Sequence, residues 1–338
     1  MKKAVLIIIA ILAIAAFGTY YYFMLTPFSK EGEKKYLYVD RDDNIDSVYT
    51  KLSAWGKPHA MKALQTLASW RGYGDNIIRG RYEIGTDMST RNLFSMLKRG
   101  EQTPLNVPIP SARTLDKLAV AVSNKLELDS TELLNALTDS LVCQRYGFNR
   151  QTIASMFIPD SYNMYWTVSV DEFLDRMKKE YDKFWNSDRQ AKAKAMGLTQ
   201  TEVSTLASIV TEETRATAEK PTVAGLYYNR LKKGMLLQSD PTVKFALQDF
   251  SIRRILNRML TTDSPYNTYK YEGLPPGPIR IPMAEDLDAV LNYEHHDYIY
   301  MCAKEDFSGT HNFARTSAEH QANANRYHQA LNARGIKK

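Results

Sequence analysis

Cysteine is scarce in this chain: 338 residues contain two, Cys143 and Cys302. They stand far apart and form no CxxC or other metal-type spacing, which excludes a disulfide-built scaffold and a zinc module. Spacing does not say whether the two pair, and ordinary buried thiols are the expectation. Clustered charge is missing too. The net charge of +6 is spread along the sequence, which fits a mildly anionic polymer as partner and offers no patch for nucleic acid. A composition of 24% charged and 44% hydrophobic residues excludes wholesale disorder. Between Ala4 and Leu25 there is no charge at all.

That run is long enough to span a bilayer core as one helix. Lys2 and Lys3 before it favour a cytoplasmic N-terminus, and Tyr20, Tyr21, Tyr22 and Phe23 suit an aromatic belt at the far interface. A cleaved leader has a shorter apolar stretch and ends in an A-x-A-like site. None follows Ala16, and no nearby cysteine offers a lipidation point. Lys30, Lys34 and Lys35 weaken the charge asymmetry without reversing it. The expectation is an uncleaved single-pass anchor over 4–25 in the cytoplasmic membrane, with residues 1–3 inside and the rest of the chain outside.

This length holds about two compact domains plus an appendage. Residues 26–35 (TPFSKEGEKK) are polar and read as a tether. From 36 to 125 a pattern recurs in 36–52, 82–97 and 105–122, each passing from an extended apolar piece through a polar turn into an amphipathic helix. Asn44, Ser89 and Thr114 stand where helix caps belong. Residues 129–200 read as mostly helical, interrupted by FIPDSYNMYW (157–166). Phe173, Leu174, Met177, Tyr181 and Phe184 follow at helical spacing and read as core. Gly197 closes one helix, and Thr199 or Thr201 caps the next. A boundary falls between 125 and 150, which leaves 126–338 as the larger domain. The fold class expected is α+β.

The segment 204–279 carries the chemistry. On a helix over 201–214, a turn of 100° per residue from Val203 sets Leu206 at about −60°, Val210 at about −20° and Glu213 at about −80°. Glu213 thus shares the apolar face, and Glu212, at about 180°, points the other way. A carboxyl on an apolar face holds its proton to higher pH, as the general acid of glycosidic cleavage must. A structural ion pair with Arg215 or Arg230 explains the same placement. Glu219, just before Pro221, reads either as a helix-start acid or as a second carboxyl near the site. Asn229, Gln238, Asp240, Tyr266 and Asn267 fill the loops that follow, and GLPPGPI (273–279) adds rigid prolines and small glycines. Aromatic faces beside amides and hydroxyls suit sugar rings. His311 and His320 lie nine apart, a zinc site needs further ligands that the sequence does not clearly supply, and packing or hydrogen bonding against a site wall is the expectation.

On LASIVTEET, EKPTVAGLYYNRLKKGMLLQSDPTV, YNTYKYEGLPPGPI and GTHNFARTSAEH, the chain resembles the YceG-like (MltG) family of membrane-anchored endolytic murein transglycosylases. Residues 36–125 resemble that family's LysM-like glycan-binding part. The family pattern after ASIV is E-x-E-[TA], with the second Glu as catalytic acid. This implies Glu213 for the role, with Thr211 replacing the first Glu. A second departure is IPSART (109–114) in place of an IPEG-type turn. The resemblance implies cleavage of the β-1,4 bond between N-acetylmuramic acid and N-acetylglucosamine in peptidoglycan strands, leaving 1,6-anhydro ends without a cofactor. Asn229, Gln238, Asp240, Tyr266, Asn267 and Glu219 are the candidate substrate contacts. Work beside peptidoglycan synthases follows from the resemblance alone. Two rivals remain: a non-catalytic peptidoglycan-binding scaffold, and a lysozyme-like hydrolase using Glu219 or Asp240 as second carboxyl. A chelator-sensitive amidase or peptidase is a third.

Overall fold

The structure, a computed structural model, describes residues 2–30, 32–252 and 254–335. The chain folds into two compact units and passes between them several times. Residues 1–107, 125–128 and 162–169 form the first, and 108–124, 129–161 and 170–338 the second. Residues 108–124, which the sequence pattern groups with the N-terminal region, therefore cluster with the larger unit.

The first unit begins with α1 (Lys2–Tyr20), prolonged by a wider π turn over Tyr21–Leu25. Lys2–Leu25 is long and apolar enough to cross a membrane, with a mean hydropathy of 2.4. Next come β1 (Lys35–Val39), α2 (Ile45–Ser53), α3 (Pro58–Trp70), β2 (Gly80–Ile84) and α4 (Thr90–Arg99). β3 (Leu105–Pro108) pairs with β4 (Ser161–Met164). β1 and β2 pair antiparallel, with Leu37 opposite Tyr82. Their inward residues Leu37, Val39, Tyr82 and Ile84 join Val48, Leu52, Leu64, Leu93 and Leu97 from the helices in one core. Asn44 caps α2 in a reciprocal box with Ser47, and Ser89 caps α4 through Asn92 N–H.

The segment after α1 departs from the expected tether. Phe28 N–H donates to Met88 O at 2.8 Å, Lys30 N–H to Trp55 O at 2.8 Å, and Lys57 N–H to Phe28 O at 2.9 Å. Phe28 itself is fully buried in the core of this unit. A lone aromatic in a polar stretch finds enough apolar surface here to hold Thr26–Lys30 in place, a burial worth about 2 kcal/mol.

Among the described residues, the regular structure of the second unit is helical apart from one hairpin. It holds α5 (Leu115–Ser123), α6 (Ser130–Thr138), α7 (Ser140–Arg145), α8 (Val170–Phe184), α9 (Ser187–Ala195), α10 (Gln200–Glu213) and α11 (Lys220–Lys232). After these come α12 (Asp240–Leu247), α13 (Ala284–Leu291), the antiparallel strands β5 (Tyr300–Ala303) and β6 (His311–Ala314), and α14 (Ser317–Ala333). Thr114 sits at the start of α5 without a side-chain cap bond. Phe173, Leu174, Met177 and Tyr181 of α8 are buried, as their spacing predicts. Gly197 takes the left-handed conformation (φ 70°) after α9. In the GLPPGPI loop, Gly277 lies against the backbone of Gln151 so closely that a Cβ would overlap its carbonyl oxygen. Both thiols are free, Cys143 buried and Cys302 half-buried.

Candidate active site

The site is built on α10. Thr199 caps this helix by accepting from Glu202 N–H at 3.2 Å, while Glu202 accepts from Thr199 N–H at 2.7 Å. Every residue from Val203 to Val210 is buried, the polar ones included. Ser204, Thr205 and Ser208 turn their hydroxyls onto carbonyls of the same helix, at 3.0, 2.9 and 2.7 Å, so burial leaves these donors satisfied. A helix enclosed on all sides delivers both glutamates of its last turn into protein. Here the structure corrects the helical projection, which points Glu212 away from the molecule.

Glu212 is held by two guanidiniums. Arg113 grips it with both arms, Nε on Oε1 and Nη2 on Oε2, each at 2.8 Å, and Arg280 Nη1 reaches Oε1 at 2.8 Å. Arg280 is itself fixed by the carbonyl and hydroxyl of Ser111. Burial pushes the Glu212 pKa up, but the bonds and charges of Arg113 and Arg280 outweigh it and hold the carboxyl below its ordinary range.

Glu213 has no such partner. Its Oε1 accepts from Tyr227 OH at 2.7 Å and from Ser239 Oγ at 2.5 Å, and its Oε2 has no partner among the described residues. Burial is the largest influence and raises the pKa. The Ser239 and Tyr227 hydroxyls pull it back, and the Asp240 charge adds to the rise. The structural ion pair with Arg215 or Arg230 does not form. Arg230, 7% exposed, donates instead to Leu237 O at 2.6 Å and to Gln238 Oε1 at 3.3 Å.

A cavity of about 360 Å³ opens beside Glu213, lined also by Tyr227, Arg230, Gln238, Asp240 and Tyr269. The β5–β6 hairpin with His311, and His320 of α14, line it as well. Asp240 accepts from Tyr269 OH at 2.6 Å. Gln238 is held at positive φ (52°) with its N–H on Thr268 O, which turns its side chain to the cavity. His320 stacks on Tyr300, ring centres 5.2 Å apart, and both burial and the Arg230 charge lower its pKa, favouring the neutral ring. Two buried nitrogens of residues lining this cavity, Arg230 Nε and His320 Nδ1, have no partner among the described residues.

Of the candidate contacts, Gln238 and Asp240 join Glu213 in the cavity. Glu219 does not line it. Its carboxylate accepts from His311 N–H at 2.7 Å, lies 3.1 Å from His311 Nδ1 and accepts from Thr214 Oγ1 at 3.2 Å. It makes no side-chain cap bond to α11, and it pins β6 to that helix instead. The other three do not line this cavity. Asn229 spends its amide on His296 O (2.6 Å) and Tyr298 O (3.1 Å). Asn267 is fully buried and donates to Leu260 O and Thr262 O. Tyr266 packs on Phe245, centroids 4.7 Å apart, in a separate hollow.

A model of the YceG-like family matches residues 37–326. The chain belongs to the YceG-like family. It is similar to an endolytic murein transglycosylase of Streptococcus pneumoniae serotype 2, at 28% identity over 334 residues, covering 88% of this chain and 60% of that protein. The enzyme of the same description from Bacillus subtilis is 26% identical over 287 residues, covering 80% and 78%. The chain thus spans about 60% of the length of its streptococcal relatives. The crystal structure of a yceG-like protein from Listeria monocytogenes matches with a TM-score of 0.56 at 25% identity, over 86% of this chain and 99% of that one.

Thr211 is the residue that the sequence resemblance sets in place of a first glutamate. It donates to Asp286 at 2.7 Å, and Asp286 also pairs with Lys220 at 2.5 Å. A carboxylate at 211 would add a second negative charge to that buried pair. Sequence reasoning missed Tyr227 and Ser239. Their signal was present in the placement of Tyr227 one helical turn from Val223 on a buried face of α11, and in a serine beside a candidate acid.

Proposed function

We propose that this chain is a membrane-anchored endolytic murein transglycosylase that cuts the bond between N-acetylmuramic acid and N-acetylglucosamine and leaves 1,6-anhydro ends. The observation that carries the proposal is the setting of Glu213, a half-buried carboxyl whose Oε1 is engaged by two hydroxyls, and which has no bonded cation and no Oε2 partner among the described residues. With its pKa raised by burial, Glu213 in its acid form donates the Oε2 proton to the leaving glycosidic oxygen as positive charge grows on the anomeric carbon. The carboxylate so formed is stabilised by the hydroxyl protons of Tyr227 and Ser239. Burial raises the Tyr227 pKa well above its usual value, so this hydroxyl keeps its proton for that role. Glu213 then takes the proton of the muramic 6-hydroxyl as that oxygen closes on the anomeric carbon. The nucleophile is internal to the sugar and already held in place, so no water has to be activated. Arg230 Nε, an unmatched buried donor on the cavity wall, suits the carbonyl of an N-acetyl group.

In this reading α1 is the anchor, the remainder of the chain works outside the membrane, and residues 36–125 serve as a LysM-like glycan-binding part. Termination of nascent strands beside peptidoglycan synthases belongs to the same proposal. One observation favours a second reading: Asp240 lines the same cavity, and a second carboxyl is what a hydrolase uses to activate water. Mass spectrometry of uncrosslinked glycan strands after incubation with the enzyme separates the two. Internal cuts ending in 1,6-anhydro-muramic acid support the transglycosylase, and reducing muramic ends replace it with the hydrolase. Binding without cleavage leaves a scaffold.

A further inference from the structure

We propose that the first unit carries a binding site for the headgroup of an anionic phospholipid at the foot of α1. The inference rests on reading α1 as a membrane span. A groove of about 820 Å³ lies where the span ends, and Tyr20 and Met24 of the apolar segment form part of its wall. Arg71, Arg91 and Lys98 form another part. Lys98 Nζ donates to the Arg71 carbonyl oxygen at 3.2 Å, and Arg91 Nη1 to Tyr20 OH at 3.4 Å. None of the three has a carboxylate partner among the described residues, whereas neighbouring Arg99 is paired with Glu101 at 2.7 Å.

Helix ends do not account for all of this charge. Lys98 lies in the last turn of α4 and Arg71 directly after α3, where a cation offsets the helix dipole. Arg91 lies in the first turn of α4, the end at which a positive charge is disfavoured. Like charges gathered there repel one another until an anion joins them. Trp70, 76% exposed beside these cations, is a large aromatic left open to its surroundings. With Tyr20 it forms the kind of amphipathic belt found at headgroup level. Leu67 and Phe94 add apolar wall to the groove. A phosphate seated among three cations, with glycerol and the first acyl carbons against Leu67, Phe94 and Met24, matches both halves of the groove. A free phosphate matches one half only. The cationic stems reach the headgroup by lying along apolar surface.

The test uses the full chain purified in a neutral detergent. Native mass spectrometry follows binding of dioctanoyl phosphatidylglycerol, dioctanoyl phosphatidylcholine and inorganic phosphate. One phosphatidylglycerol is expected to bind at least tenfold more tightly than either alternative. Arg71→Gln, Arg91→Gln and Lys98→Gln should each weaken it about fivefold, and the triple variant about a hundredfold. The single variants carry the test should the triple fail to fold. Equal binding of both lipids, inorganic phosphate binding as tightly as phosphatidylglycerol, or indifference to all three substitutions would overturn the site. Carbonate extraction of membranes containing the full chain tests the span separately. Release of the chain removes the anchor and with it the lipid site. Retention in the membrane with no lipid preference removes the lipid site alone.

Discussion

Glu212 and Glu213 leave the same helix end, one toward a region of guanidiniums and the other toward a region of hydroxyls. On the Glu212 side, Arg113 and Arg280 supply full positive charge and keep the carboxyl ionised. On the Glu213 side, Tyr227 and Ser239 supply hydrogen bonds without charge, which falls short of offsetting burial. The contrast teaches that the two residues owe their difference to what surrounds them, since the helix treats both alike. The charged side fastens α10 to the segments around Ser111 and Arg280, and the neutral side holds the carboxyl that we propose as the acid.

The largest effect should come from removing the proposed acid. Glu213→Gln is expected to lower strand cleavage on the order of 10³-fold with glycan binding retained, read by product mass spectrometry and a binding isotherm. The same variant should be more stable than the parent as pH rises. A carboxyl whose pKa is raised on folding adds stability below about pH 4.5, its ordinary value, and that stability is lost as pH climbs through the raised folded value. Urea melts at several pH values check this, and a variant that loses stability at high pH would break the comparison.

Glu212→Gln comes next and should act in the opposite sense. It leaves two guanidiniums facing a neutral amide, a loss of about 2 kcal/mol once the partial exposure of Arg113 and Arg280 is allowed for. The loss should be present above about pH 4.5 and vanish as pH falls through the lowered folded pKa of Glu212, because protonated parent and variant are then alike. Activity per folded molecule should change far less than in Glu213→Gln.

Smaller again is Ser239→Ala. Without that donor the Glu213 pKa moves further up, so the basic limb of the pH–rate profile shifts to higher pH. The maximal rate falls about tenfold, for want of a donor to the carboxylate formed in the reaction. A shift of the limb to lower pH would exclude Glu213 as the titrating acid. The mildest change is Arg113→Lys, which keeps the charge and loses the two-armed grip, at a cost of about 0.5 kcal/mol in a thermal melt.

The inward placement of Glu213 was legible in the sequence because one period, 3.6 residues, places it beside Leu206 and Val210. Glu212 was misread because the same projection assigns the far face to water, and here that face meets the 108–113 and 279–281 segments, remote in sequence. Asn229 and Asn267 looked like ligand contacts because an amide that feeds loop carbonyls has the same signature as one that feeds a sugar. The strand–turn–helix repeat and the caps at Asn44, Ser89 and Thr199 were readable because their signals are local. The fastening of Thr26–Lys30 was not, since it hangs on Phe28 finding a core assembled from residues up to Leu97.

The overlap that a Cβ at position 277 would suffer has a consequence for how the sequence can drift. Gly277 and Gly273 share one loop but answer to different constraints. Gly273 sits at φ 81° with open space around it, a conformation that asparagine tolerates at modest cost. Gly277 abuts the Gln151 carbonyl, and no rotamer relieves a clash made by the first side-chain atom. Among descendants of this gene, position 273 should wander between glycine and asparagine, while position 277 changes only if the backbone at 151 retreats first.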